Sequence, residues 1–477
     1  MLTDDAGYEL QLTSAAAAAD WRAAHQSFLA HGIDAGPRLS AALQAAPGFA
    51  LGHAAQGLFL MLLGRAELLP SVDAAREKAV QAQAEGGGDG RSAMMIAALD
   101  DYRAGRMRRA AARLEASLRD RPRDSLAFKL SHNIRFLLGD AAGLRGGAEL
   151  AARGIGADHP HRGYILGATA FALEETGDYV GAEAAGRAGL AISPDDAWGL
   201  HAVAHVMDMT GRADDGVRWL AGRASHWAHC NNFGYHVWWH LALFHLDRGG
   251  WHQALELYDR KVRPTPTDEW RDVANGASLL LRLEIEGVAI GDRWEELADI
   301  SARHIDDGQV VFADLHYISA LAAAGRNAEA DALTARIAAD AQSLDHDQHE
   351  ACALAGLPAA QGLTAFCAGR HRDAWNGLWA ALPQLWRVGG SHAQRDVFER
   401  LAIEAACRAG MTTEALAALD ARAARRGARD GYDARRRAAL AIRAAGRLQD
   451  PACATTRTRA AAPQPTGSSA VRQNVAH

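Results

Sequence analysis

The stretch WWHLALFHLDRGGWHQALELYD, residues 238–259, decides the fold. The stretch predicts two short helices, because Ala and Leu recur in both halves. These two residue types have the highest helix propensities. Gly249 between the halves can end the first helix, since glycine readily adopts the left-handed backbone conformation. Small residues on either side, Ala242 and Ala254, let two helix backbones approach closely. The stretch therefore predicts a tightly packed helix hairpin.

The same pattern recurs along the chain. Helix-ending glycines stand 34 or 38 residues apart, at Gly105, Gly139, Gly177, Gly211 and Gly249. Proline follows every second glycine by 17 residues, at Pro122, Pro194 and Pro266. Less regular copies follow at Gly325, Gly369 and Gly410. Strand signals are nearly absent, so the recurrence predicts an all-α protein, a solenoid of tetratricopeptide-like helix hairpins stacked into a right-handed superhelix.

The regularity of the repeat suggests how the chain is organised. We expect an N-terminal helical region (1–90), well-formed repeats (91–265), degenerate helical repeats (266–447) and a disordered tail (448–477). The tail has few bulky apolar residues, which is typical of disorder. The basic run ARAARRGARDGYDARRR (421–437) favours a solvated helix face, with a patch for a polyanion or protein partner as the alternative.

Composition argues against several classes of protein. The net charge of −6 gives no general reason to expect nucleic-acid binding. Five scattered cysteines without a CxxC pair indicate reduced thiols rather than a disulfide framework. The first ten residues lack the pattern of a signal peptide, and the most apolar run, residues 54–64, is too short to span a bilayer. We therefore expect a soluble, cytoplasmic protein with neither a nucleic-acid nor a membrane partner.

Two histidine pairs suggest a metal site. His201 and His205 lie four residues apart in HAVAHVMDM, and His236 and His240 do so in HVWWH. Helical residues four apart have Cβ atoms about 5–6 Å apart, which suits two imidazoles on one ion, and Asp208 can add a carboxylate. Zinc, iron and manganese are the candidate cofactors. Neither pair is HExxH, so the pattern of zinc metalloproteases is excluded.

Helical periodicity predicts that these residues share a concave groove. In the unit that ends at Gly211, the face opposite the hairpin contact carries Trp198, His201 and His205. The same face carries His236 and Trp239 in the next unit, with His240 on its shoulder, and Tyr164, Phe171 and nearby Glu174 in the preceding one. We predict that Tyr164, Glu174, Trp198 and Trp239 bind a ligand there. Buried histidines that only hydrogen-bond to one another are the purely structural alternative.

Two further stretches carry unusual polar density. FADLHYISAL (312–321) places Asp314 and His316 near a helix start; an ordinary helix start is the favoured interpretation, and a contribution to the metal site is the alternative. GGSHAQRDVFERL (389–401) predicts a helix capped by Ser391, with Arg395 and Glu399 paired along it. A ligand-binding role for Gln394, Arg395 and Asp396 is the alternative to this purely structural helix, and the sequence favours neither over the other.

Four stretches together resemble the tetratricopeptide repeat protein 38 family: DAWGLHAVAHVMDMTGR (196–212), HVWWHLALFHLDRG (236–249), LRLEIEGVAIGDRW (281–294) and GGSHAQRDVF (389–398). The resemblance extends over about residues 85–410. It implies an all-helical repeat fold and an intracellular protein, and little about activity. The family's histidines correspond to His201, His205, His236 and His240. Met95 stands where the family often has another histidine, which implies an altered or lost activity if that residue takes part.

Three functions follow as expectations. The favoured one is the binding of a small molecule or a protein segment in the His- and Trp-lined groove. A metal-dependent, hydrolase-like enzyme that uses the same histidines is the second. A scaffold that acts only through its surface is the third. Peptide-binding grooves usually carry Lys, Arg and Asn, so an aromatic and imidazole-rich groove favours a small ligand or a metal ion.

Overall fold

The chain is all-α. A computed structural model describes residues 1–342 and 346–449, and within these ranges no β-strand forms. Two isolated β-bridges, Thr3 to Glu9 and Gly32 to Cys230, are the only strand-like pairings in that part of the chain. Helices pack mainly against their neighbours in sequence. The predicted all-α class is confirmed.

The helices in chain order are α1 (Ala15–Leu29), α2 (Ala35–Ala45), α3 (Ala50–Leu62), α4 (Leu69–Ala84), α5 (Gly90–Arg103), α6 (Met107–Asp120), α7 (Ser125–Leu137), α8 (Ala141–Ala152), α9 (Arg162–Glu175), α10 (Tyr179–Ile192), α11 (Ala197–Met209), α12 (Ala213–Ala221), α13 (Phe233–Asp247), α14 (Trp251–Leu257), α15 (Trp270–Ile285), α16 (Arg293–Arg303), α17 (Val311–Ala323), α18 (Asn327–Asp340), α19 (His349–Ala351), α20 (Leu357–Cys367), α21 (His371–Ala381), α22 (His392–Arg408), α23 (Thr412–Arg426) and α24 (Gly431–Gln449). Short π-helical turns follow α14 (Tyr258–Val262) and α19 (Cys352–Gly356).

The glycines predicted to end helices do so. Gly105, Gly139, Gly177, Gly211 and Gly249 follow α5, α7, α9, α11 and α13, and all have positive φ angles between 65° and 83°. Only glycine adopts this conformation routinely. Gly139 is required twice over, because a Cβ atom there would lie 1.7 Å from the carbonyl oxygen of Trp386.

Small residues let the helices of one hairpin pack closely, as predicted. Ala242 in α13 and Ala254 in α14 are both completely buried, and the two helices are in contact. Gly216 in α12 shows the same requirement, because an added Cβ atom would lie 2.3 Å from the ring of Phe244. These crossings have no room for a larger side chain.

Replacing Ala242 with Leu is expected to lower the free energy of unfolding by about 2 kcal/mol, because it overpacks the α13–α14 crossing. Urea denaturation of the parent and the variant measures the effect. Ala335→Leu on an exposed position of α18 is the matched control and should change stability by less than about 0.5 kcal/mol. Equal stability of Ala242→Leu and the parent would contradict the assigned hairpin packing.

The N-terminal residues are tied into the fold by a buried cluster of charges. Arg91 in α5 is 1% exposed and donates to Asp4 at 2.6 Å and to Asp124 at 2.7 and 2.8 Å. Further along, the turn after α1 reaches the start of α13 through the Gly32–Cys230 bridge. That turn places His31, whose φ angle is 58°, beside the residues described below.

Met1–Asp430 forms one compact unit, and a second begins at Gly431, of which the structure describes α24. The predicted boundaries at 90 and 265 mark changes in repeat regularity and remain predictions. Most of the predicted disordered tail (448–477) lies outside the described residues, since these end at 449. None of the described helices combines the length and apolar character that a membrane span requires.

Candidate metal centre

The four histidines singled out by spacing meet between two neighbouring helices. His201 and His205 lie one turn apart on α11, and His236 and His240 lie one turn apart on α13. The two helices are in contact, and the two pairs face each other across that contact. One ring nitrogen from each residue falls within a group whose members all lie within 4.8 Å of one another.

The Nε2 atoms make the close approaches. His201 Nε2 lies 2.8 Å from His205 Nε2 and 3.2 Å from His236 Nε2. His236 Nε2 lies 3.2 Å from His240 Nε2. Four imidazoles therefore direct the same ring atom at a common point, which is the arrangement that a metal ion requires of its ligands.

All four imidazoles are buried, and burial disfavours the charged form of His201, His236 and His240. Their exposed fractions are 2% for His201, 0% for His205, 8% for His236 and 1% for His240. Burial lowers the pKa of His236 to about 3 and the pKa values of His201 and His240 well below their usual range. Neutral imidazole is the form that ligates metals. A ligand or ion at this point is enclosed by the helices.

Asn275 orients one ring from outside the cluster, and Glu174 approaches another. His236 Nδ1 lies 2.8 Å from the amide oxygen of Asn275 in α15, and His205 Nδ1 lies 3.4 Å from Glu174 Oε2 in α9. The Asn275 oxygen only accepts hydrogen bonds, so His236 Nδ1 carries the proton and His236 Nε2 keeps its lone pair. The approach of His205 to Glu174 lacks hydrogen-bond geometry and does not fix the tautomer of His205. Metal-binding histidines typically have such partners on their second ring nitrogen.

Without an ion, several ring nitrogens of the cluster lack good hydrogen-bond partners. If His205 and His236 both present lone pairs, a single proton on His201 Nε2 serves only one of them well. In addition, Nδ1 of His201, of His205 and of His240 is buried with no hydrogen-bond partner within the described ranges. Buried polar atoms are normally paired, so these nitrogens depart from the usual pattern.

Aromatic rings enclose the histidines. The ring of Trp239 stacks on His236 at a centroid distance of 5.1 Å, and the ring of Phe171 stacks on His201 at 5.8 Å. Trp198 lies 5.1 Å from His201, and Phe233 lies 5.2 Å from it. An apolar wall excludes water and strengthens electrostatic interactions at the centre.

A buried lysine adjoins this wall. Lys129 in α7 is 3% exposed, and its Nζ lies 4.7 Å from the ring centre of Trp198 and 3.4 Å from His31 Nε2. Burial lowers the pKa of Lys129 to about 8, partly offset by the charge of Asp196. Burial also raises the pKa of Asp196 to about 7.

A second group of donor atoms lies against the first. Glu174, which contacts His205, also approaches His392 at the start of α22, where Nδ1 is 3.8 Å from Glu174 Oε1. Glu175 Oε1 lies 3.6 Å from the same nitrogen. These three residues form another set whose donor atoms lie within 4.8 Å of one another.

A third set of donors, Glu67, His304 and Asp307, has a different character. Hydrogen bonds to Asp307 and Asp268 raise the pKa of His304 to about 9. The imidazole is therefore protonated at neutral pH and forms ion pairs with both carboxylates. A protonated imidazole has no lone pair to offer a metal ion.

Three residues that the sequence associated with the metal site have other partners. Asp208 forms an ion pair with Arg426 at 3.0 Å. Asp314 pairs with Arg336 at 2.5 Å. The Nδ1–H of His316 donates to the carbonyl oxygen of Phe312 at 2.8 Å, one turn back on its own helix. None of the three belongs to the converging group, because their helical positions direct them to neighbours other than α11 and α13.

The proposed ligand-binding residues divide in a similar way. Glu174, Trp198 and Trp239 adjoin the four histidines. Tyr164 is set apart, and its hydroxyl donates to Asp195 at 2.9 Å. Met95, in the position where the family resemblance implies a histidine, is fully buried in α5.

The start of α22 is capped as predicted. The Ser391 hydroxyl accepts from the backbone N–H of Gln394 at 3.3 Å, and the Gln394 side chain accepts from the backbone N–H of Ser391 at 2.9 Å. Gln394 thus has a structural role. Asp396 is likewise engaged in the fold, because it accepts from Arg400 and Arg422 at 2.6 and 2.7 Å.

The predicted pairing of Arg395 with Glu399 is wrong. Arg395 instead donates to Glu175 at 3.1 Å and to the carbonyl oxygen of Gly390, while Glu399 pairs with Arg425. The buried carboxylate of Glu175 displaces the neighbour one turn away from Arg395, because a charged hydrogen bond in the interior is stronger than one on an exposed helix face.

Spacing alone did not identify Asn275, Glu175, His392 or Lys129. The signal that Asn275 carries is that of a polar residue in the largely buried helix α15, and Asp272, Ser278 and Arg282 share it. His392 and Glu175 carry none that stands out, because they come together only when α22 packs near α9. In a comparison with protein families, no family model matches the chain.

Proposed function

We propose that this protein binds a divalent transition-metal ion through His201, His205, His236 and His240. The convergence of four Nε2 atoms, with contacts of 2.8–3.2 Å, is the observation that carries the proposal. Imidazole suits zinc, iron, copper and nickel, and zinc accepts four protein ligands in its structural sites.

The spacing of the nitrogens supports this proposal. With Zn–N bonds of about 2.0–2.1 Å, the edge of a coordination tetrahedron is about 3.4 Å long. The contacts along the cluster, 2.8, 3.2 and 3.2 Å, are shorter by only a few tenths of an ångström. Small outward movements of the rings would therefore accommodate the ion. Asn275 would hold His236 in the correct tautomer, and the carboxylate of Glu174 lies beside His205.

The metal ion has either a structural or a catalytic role. Zinc with four histidine ligands is closed and stabilises the junction of α11 and α13. Iron or manganese in six-coordinate geometry leaves two open positions, which a small ligand or a hydrolase-like reaction would use. The enclosing rings of Trp198 and Trp239 favour a small ligand over a long protein segment as the occupant.

The finer description of the fold belongs to the same proposal. We infer a tetratricopeptide-like, right-handed superhelix in a cytoplasmic protein. The left-handed glycines after α5, α7, α9, α11 and α13 support it, as does the packing of successive helices. The resemblance to the tetratricopeptide repeat protein 38 family is consistent with it, since two of the stretches that carry the resemblance contain all four histidines.

Elemental analysis of protein purified without a histidine tag tests the metal site. The parent is expected to contain one tightly bound ion in the four-histidine site, and His236→Ala is expected to lose it. His252→Ala is the matched control, because His252 lies exposed on α14. A parent that takes up no zinc, iron or manganese after chelation and reloading would leave only the structural interpretation of the cluster. The identity of the ion then separates the closed site from the open one.

A further inference from the structure

We propose that Glu174, Glu175 and His392 bind a second divalent cation beside the four-histidine site. The two sites have no donor atom in common. The second site goes beyond the metal centre proposed above, and it stands on its own geometry.

The distances fit a coordination sphere better than a hydrogen-bond network. His392 Nδ1 lies 3.8 Å from Glu174 Oε1 and 3.6 Å from Glu175 Oε1. Both separations exceed those of ordinary hydrogen bonds. They are close to the roughly 3.4 Å between two ligands that hold one ion at about 2.1 Å in tetrahedral geometry.

A buried and unsatisfied carboxylate points into the gap. Glu174 is 0% exposed, and neither of its oxygens has a hydrogen-bond partner of good geometry among the residues that the structure describes. His392 Nδ1 is also buried and unpartnered in the same part of the chain. Burying a charged carboxylate is strongly unfavourable unless an opposite charge or a proton satisfies it. A cation between Glu174 Oε1 and His392 Nδ1 would satisfy both groups.

Neighbouring contacts hold Glu175 in place as a ligand. Its Oε1 accepts from the backbone N–H of His392 at 2.7 Å, and its Oε2 accepts from Arg395 at 3.1 Å. Arg395 neutralises one of the two carboxylates. The charge of Glu175, with that of Glu174, raises the pKa of His392, so a cation at this point would take the place of a proton on His392 Nδ1. A carboxylate oxygen has two lone pairs, and Glu175 Oε1 therefore retains one for the ion.

The site has a route to solvent, unlike the four-histidine cluster. The side chain of His392 is 36% exposed, whereas Glu174 and Glu175 are 0% and 4% exposed. An ion can therefore enter past His392 and meet carboxylates further in. One imidazole and two carboxylates form a mixed set of nitrogen and oxygen donors, which suits zinc, manganese and ferrous iron.

Glu174 connects the two sites. Its Oε2 lies 3.4 Å from His205 Nδ1, while its Oε1 faces His392. A cation on Oε1 would fix the orientation of the carboxylate and hence that of the His205 ring. We call the site at Glu174, Glu175 and His392 the outer site and the four-histidine site the inner site. A cation bound at the outer site is therefore expected to order the inner site.

Equilibrium dialysis of the full-length, chelator-treated chain tests the proposal. The parent, His392→Ala, Glu175→Gln and His236→Ala are dialysed against Zn²⁺ and, separately, against Mn²⁺, and the bound ions per chain are counted. His252→Ala is the control, and circular dichroism checks that each variant is folded. We expect two Zn²⁺ ions in the parent and in the control. We expect one in each of the three other variants.

The outcomes separate the two sites. If His392→Ala and Glu175→Gln bind as many ions as the parent, the second site is refuted, whether or not His236→Ala loses an ion. If His236→Ala keeps the parent's count while His392→Ala loses an ion, the four-histidine site fails and the second site stands. A parent that binds neither metal refutes both. Because His392 is partly exposed, its loss should not unfold the chain, and Glu175→Gln provides an independent check.

Discussion

Adding Zn²⁺ to the metal-free protein is expected to raise the free energy of unfolding by about 4 kcal/mol when the free ion reaches roughly 1,000 times its dissociation constant. Only the folded chain brings the four imidazoles together, because the pair His201 and His205 is separated from the pair His236 and His240 by 30 residues. Binding to the native state alone therefore stabilises that state. Chemical denaturation with and without Zn²⁺, at several ion concentrations, measures the increase.

Variants show whether the increase comes from the inner site. His201→Ala removes the imidazole that contacts both His205 and His236, so most of the increase should disappear. His392→Ala should keep most of it, since His392 lies outside the cluster. An unchanged unfolding curve of the parent in Zn²⁺ would mean that the four histidines only pack together.

Replacing His132 with Phe is expected to stabilise the protein at acid pH. The free energy of unfolding of the variant minus that of the parent should be about 3 kcal/mol larger at pH 4.5 than at pH 7. His132 in α7 is 1% exposed, and neither ring nitrogen has a hydrogen-bond partner in the described part of the chain. Burial, together with the charge of nearby Lys129, lowers its pKa well below the usual range. Rings of Phe128, Phe171 and Trp198 surround it, so phenylalanine suits the space.

The sign follows from proton binding in the two states. Below a pH of about 6.5 the unfolded chain protonates this histidine, whereas the folded chain keeps it neutral, so stability is lost as the pH falls. Phenylalanine takes up no proton, and the advantage of the variant should grow by about 1.4 kcal/mol per pH unit below that point. The test compares denaturation of parent and variant at pH 7, 6, 5 and 4.5. Parallel stability curves would show that His132 is protonated in the folded state.

Much of the fold could be predicted from local chemistry. A left-handed glycine such as Gly249 ends a helix wherever it stands, and a small residue such as Ala242 marks a close crossing. Both signals act within one hairpin, so the sequence around each one contains them. The contacts between distant elements, such as the turn containing His31 against Trp198, have no comparable local signal.

The inner site was partly predictable for the same reason. Four-residue spacing placed His201 beside His205 and His236 beside His240, and helical periodicity brought the pairs toward one another. Periodicity set His240 on the shoulder of its helix, whereas the packing of α13 on α11 brings it fully into the cluster.

The outer site was out of reach of such reasoning. Glu175 and His392 are 217 residues apart in sequence, and only the packing of α22 near α9 brings them together. Periodicity can say which face of a helix is covered. It cannot say which distant helix covers that face, and so it cannot supply the third or fourth donor of a site.

The burial of Lys129 has a practical consequence for chemical labelling. The chain contains only three lysines, and the other two, Lys78 and Lys261, are exposed. Acylating reagents therefore meet two lysine amines on the native surface, while Lys129 is shielded beneath Trp198. The rate at which Lys129 is acylated therefore reports how often the interior opens to solvent. Mass spectrometry of the one peptide that contains Lys129 measures this rate, and no probe has to be introduced.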